Sequence, residues 1–152
     1  MSPDESAPYC GGSILTRSHV LTAAHCVVNI NTGNVKDPGS VQVLVGAHDT
    51  TDSNVDRRDI SIIRTHPRYR NGKGHYDSAV LFLSSALTFT SSVAPVCLPG
   101  SVWTLYTSQT ATVTGWGLTG ASGDSSPTLQ EVEVTVASNE ECSDIYPGKI
   151  EE

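Results

Sequence analysis

Apolar side chains recur at every second position in several parts of the chain. Val41, Val43 and Val45, then Ala111 and Val113, then Val132, Val134 and Val136 alternate with more polar neighbours. Successive strand residues point to opposite faces, so this period predicts three strands, each with one face against a core. Ile60 and Ile62 predict another strand. The stretch from Asp77 to Leu83 is nearly apolar throughout, the pattern of a strand buried on both faces.

Between these segments, Asn29 to Gly39, His48 to Asn54, Arg70 to His75 and Gly117 to Pro127 are rich in Gly, Asn, Asp, Ser and Pro, which favour turns. One helix is predicted to start at Ser138, because Ser138 and Glu141 have the spacing of a capping box, and to stop at Pro147-Gly148. The expected fold class is all-β, an antiparallel barrel or sandwich with long loops. Folds of that kind often need about 200–250 residues, and the chain has 152.

Charge narrows the partners. Nine Lys and Arg against sixteen Asp and Glu give a net charge of −7, which repels phosphate backbones and anionic membrane surfaces. Neither nucleic acid nor membrane is expected as a partner. Six of the nine basic residues, Arg57, Arg58, Arg64, Arg68, Arg70 and Lys73, lie close together in sequence, and we read them as a solvated strand and loop face. Ala79 to Leu83, the longest unbroken apolar run, is far shorter than the about 20 residues that span a bilayer. Residues 1–8 lack the basic start and apolar run of a signal peptide.

The chemistry concentrates in two places. In Cys10 to Val27, C-G-G-S-I-L leads to L-T-A-A-H-C, which sets His25 beside Cys26. Histidine titrates near neutrality and suits a general base that must reach a nucleophile. In Tyr76 to Leu83, Asp77 heads an apolar strand, where a carboxylate can fix a histidine tautomer. Cys10, Cys26, Cys97 and Cys142 show no C-x-x-C spacing, and on spacing alone all four could be buried thiols.

Together these segments resemble the trypsin and chymotrypsin family of serine proteases. Thr114-Gly-Trp-Gly117, following Ala94-Pro-Val-Cys-Leu-Pro99, and the H-P-x-[YF] turn at His66-Pro-Arg-Tyr69 fit the same resemblance, and the motifs occur in the family's order from about Tyr9 to Tyr146. The implied fold is a chymotrypsin-like antiparallel double β-barrel. It would comprise a non-matching segment at residues 1–8, a first barrel over 9–109 without its first strand, and the beginning of a second barrel over 110–152. The resemblance makes His25 the general base, Asp77 the acid that orients it, and Cys10 and Cys26 a disulfide. It implies a secreted serine-type endopeptidase domain, a monomer acting on protein or peptide substrates, met by serine protease inhibitors, and needing no cofactor.

Histidine before aspartate fits the His, Asp, Ser order of this family, so the serine is expected beyond Glu152 and the chain is expected to be inactive alone. Gly123-Asp-Ser-Ser-Pro127 imitates the family's G-D-S-G-G-P but lacks the glycine after the serine, and Ser125 is expected to be a loop residue. Cys97 and Cys142 are expected to be unpaired. The alternative is a noncatalytic family member that acts as a binding or regulatory protein. No metal is expected. His25, His66 and His75 with Asp77 fit no zinc spacing, and the loop with Asp49, Asp52 and Asp56 has Ala47 where calcium-binding members place a glutamate.

Overall fold

A computed structural model of the protein describes residues 8–72, 74–100, 105–121, 124–148 and 150. Most of the expected N-terminal segment 1–8, Lys73 of the basic run, Gly123 and Glu152 lie outside the described residues. Two compact units divide the chain, one ending at Cys97 and one beginning at Leu98. No helix among the described residues is long and apolar enough to cross a membrane.

The first unit is a curled antiparallel sheet of five strands. These are β1 (Ser13–Thr16), β2 (His19–Thr22), β3 (Gln42–Val45), β4 (Asp56–Thr65) and β5 (Ala79–Leu83), in the spatial order β1-β2-β5-β4-β3. Strand β4 is ten residues long and serves two partners: Asp56 to Asp59 pair with β3, and Ile60 to Thr65 pair with β5. The register shifts between Ile60 and Ile62. Such a bulge sharpens the local twist and lets one strand turn from one neighbour to the next.

Val20, Val45, Ile60, Ile63, Ala79, Leu81 and Leu83 supply much of the core from the strands, and Val41 and Leu87 close it from the loops. Ala79, Leu81 and Leu83 are buried, whereas Val80 and Phe82 are only half-buried. Strand β5 therefore has one dry face and one partly wetted face. The expectation of burial on both faces is corrected accordingly.

The second unit holds β6 (Thr110–Gly115) paired with β7 (Gln130–Thr135), and the helix α2 (Asn139–Ile145). The helix starts as expected: Ser138 Oγ accepts from the Glu141 N–H, and the Glu141 carboxylate accepts from the Ser138 N–H. Val113 stands opposite Val132, and Ala111 opposite Val134. Every residue of β7 is nevertheless exposed, and Val132 and Val113 are 56% and 53% accessible. The expected burial of this face is not observed, because a two-stranded ribbon has no second layer of its own to cover it.

Candidate active site

The site is built where β2 runs into a single helical turn, α1 (Ala24–Val27). Ala24, Cys26 and Val27 of that turn are buried and anchor it in the core. His25 is the residue left facing out, with 62% of its side chain accessible. A disulfide between Cys10 and Cys26 ties the turn to the segment entering β1. Thr22 Oγ1 donates to the Gly11 carbonyl at 2.8 Å. A side chain at Gly12 would place its Cβ 3.0 Å from both the Leu21 carbonyl oxygen and Val20 Cγ1, so glycine allows the strands to close here.

Asp77 comes from the head of β5, 52 positions away in sequence, and both of its oxygens reach His25. Oδ1 accepts the His25 backbone N–H at 2.8 Å, and Oδ2 lies 2.6 Å from ring Nδ1. The carboxylate thus holds the histidine by backbone and ring at once. Partial burial pushes the Asp77 carboxyl up, but hydrogen bonds from the His25 ring and backbone, with the His25 charge and the Ala24 N–H, outweigh it and hold the carboxyl below its ordinary value.

Bonding of Nδ1 to Asp77 fixes the ring plane and leaves Nε2 as the atom available for chemistry. Nε2 lies 3.6 Å from Cys26 Sγ. Among the described residues, Cys10, His25 and Cys26 bring potential metal-ligand atoms within 4.8 Å of one another. Their two sulfurs are bonded to each other as a disulfide, so the thiolates that a metal would require are not available. Proton transfer at Nε2 is the chemistry that this arrangement supports.

One observation decides the family. The family profile described as Trypsin matches residues 3–152. The chain belongs to the trypsin family. It is 34% identical over 147 residues to a venom serine protease of Polistes dominula, covering 93% of this chain and 51% of that protein. Identity to the clotting factor G beta subunit of Tachypleus tridentatus is also 34%, over 139 residues, covering 90% of this chain and 44% of the relative. These trypsin-family relatives are about twice as long as the portion this chain spans. The solved structure of neuropsin, a serine protease expressed in the limbic system of mouse brain, superposes with a TM-score of 0.80 at 27% identity, covering 97% of this chain and 62% of that one. The all-β, chymotrypsin-like architecture is thereby established.

Other residues of this trypsin-family chain fall as follows. Ser125 is exposed in the loop between β6 and β7, where its backbone bridges to Leu118. Cys97 and Cys142 are free thiols, the first exposed and the second half-buried. In the loop after β3, Asp49 accepts from Thr51, Asp52 accepts from Asn54, and Asp56 forms an ion pair with Arg58 at 2.7 Å. His66, Tyr69 and Tyr76 were not singled out from sequence as neighbours of Asp77. Burial and then the Asp77 charge push the Tyr69 phenol up, and Tyr76 precedes Asp77 with a left-handed φ of 55°. The H-P-R-Y turn was the available signal, since it supplies His66 and Tyr69 together.

Proposed function

We propose that this chain carries the base and the orienting acid of a serine-type endopeptidase. The observation that supports this reading best is the double hydrogen bond by which Asp77 holds His25 across 52 positions of sequence. In the reaction a serine hydroxyl attacks a peptide carbonyl. His25 Nε2 accepts the hydroxyl proton and then delivers it to the leaving amine, while Asp77 keeps the imidazole oriented and stabilises the imidazolium.

The nucleophile is assigned to polypeptide outside these 152 residues, because Ser125 stands in an exposed loop between β6 and β7, in a G-D-S-S-P sequence that departs from the family's G-D-S-G-G-P directly after the serine. This chain alone is expected not to hydrolyse peptides. The venom and clotting proteases among its relatives, and the Cys10–Cys26 disulfide, support an extracellular setting with protein substrates and protease inhibitors as partners.

Two measurements test this. A fluorophosphonate probe should leave the purified chain unlabelled, and stoichiometric labelling of Ser125 would overturn its assignment as a loop residue. In a longer protein that includes the serine, Asp77→Asn should lower kcat by about 10⁴, the loss known for that exchange in the family's own triad. Unchanged kcat would remove Asp77 from the mechanism.

A further inference from the structure

Resting on the reading of Asp77 as the orienting acid, we propose that Tyr76 is a positioning residue, clamped by His66 and Arg68 so that the backbone on both sides of Asp77 is fixed and its carboxylate is aimed at His25.

The clamp starts from an unfavourable conformation. Approaching β5, the chain takes left-handed φ angles at Gly72 (78°), Gly74 (73°) and Tyr76 (55°). Glycine adopts this region freely. A bulky residue does so at a cost, and only where its surroundings over-determine it. Tyr76 is 49% exposed, so burial is not what holds it.

Specific contacts hold it instead. The His66 ring stacks on the Tyr76 ring with centroids 4.9 Å apart and planes 9° from parallel. Arg68 Nη1 donates to the Tyr76 hydroxyl at 3.2 Å, and its guanidinium carbon lies 5.5 Å from the ring centroid. The Arg68 backbone N–H donates to His66 Nδ1 at 3.1 Å, which fixes the imidazole against which Tyr76 stacks.

His66 also reaches the other side of Asp77. Its backbone N–H donates to the Ser78 carbonyl at 2.8 Å, and the Ser78 N–H donates to the Tyr76 carbonyl at 2.8 Å. Those bonds close a tight turn with Asp77 at its centre. One histidine therefore grips both neighbours of the acid, Tyr76 through its ring and Ser78 through its backbone. With φ and ψ fixed on either side, the carboxylate has little freedom except its own rotamer. The two short bonds to His25 require that its aim be narrow.

Proton NMR of the full chain, labelled with ¹⁵N-histidine, tests the proposal. The His25 Nδ1 proton, held against Asp77 at 2.6 Å, should give a far-downfield line that Asp77→Asn removes. Tyr76→Gly suits the left-handed φ but deletes the ring, and it should also remove the line while the backbone amide spectrum of β2 and β5 stays dispersed. Tyr76→Phe, which keeps the stack, should retain the line. A Tyr76→Gly chain that keeps the line at its original position overturns the positioning role. If Tyr76→Gly unfolds the chain, Tyr76→Asn decides in the same way, because asparagine also tolerates this φ and lacks the ring. A line that survives Asp77→Asn would instead overturn the His25–Asp77 pairing itself, so the two failures are distinguishable.

Discussion

Asp77 shows how a single carboxyl group couples folding to pH. Its two oxygens accept from the ring and the backbone of His25, and only 27% of its side chain is accessible. The folded state holds its pKa below the ordinary value of 3.8, so folding favours the ionised form. The stabilisation is fully present above the ordinary carboxyl range and is lost as pH falls through the lower folded value. Asp77→Asn should therefore destabilise the chain by about 1–2 kcal/mol at neutral pH. Its melting temperature should also fall less steeply than that of the parent below the ordinary carboxyl range. Parallel melting curves for the two proteins over acidic pH would show that His25 adds nothing to Asp77 in the folded state.

At the scale of elements, α1 has little to hold it as a helix. It has four residues, no side-chain cap at Ala23 and no acidic residue in its first turn, and isolated turns of that length do not persist. The Cys10–Cys26 bridge and the buried faces of Ala24, Cys26 and Val27 do the holding. Replacing both cysteines by serine should lower unfolding stability by about 3 kcal/mol in the chain-entropy account for a loop of this size. Denaturant titration measures that loss, and an unchanged midpoint would assign the turn's stability to packing alone.

The same element explains what the sequence could reveal. Strands β3, β6 and β7 were readable from their alternation and α2 from its capping box, whereas β1, β2 and α1 were not expected as separate elements. In β1 and β2 the apolar residues are adjacent, Ile14-Leu15 and Val20-Leu21, instead of alternating, α1 is too short at four residues to show a helical period, and Arg17-Ser18 between the strands carries no glycine or asparagine turn signal. His25 and Asp77 were readable because each sits in a motif of local sequence. The His66–Tyr76 stack was not, because it joins the two ends of the loop between β4 and β5 and no residue type in it announces a left-handed tyrosine.

Across the whole molecule, stability is distributed unevenly between the two units. All thirteen buried apolar residues among those described, from Val20 to Leu87, belong to the first unit. In the second unit no described residue is buried: β7 is exposed along its length, and α2 buries none of its side chains. Apolar burial is the main force that opposes chain entropy, and β6 paired with β7 is a two-stranded ribbon, an assembly that is marginal in water by itself. The second unit should therefore open locally without requiring the first to unfold. Native-state hydrogen exchange on this chain should find the amides of β2 and β5 exchanging only through global unfolding, and those of β6 and β7 exchanging far faster and nearly independently of denaturant. Leu81→Ala, which empties part of the first unit's core, should cost about 2–5 kcal/mol and accelerate exchange in β2 and β5. Val132→Thr should change stability by no more than about 0.5 kcal/mol, because its side chain is already in water. Equal protection in the two units would mean that the exposed valine face is covered in solution, and the uneven distribution of stability would then be wrong.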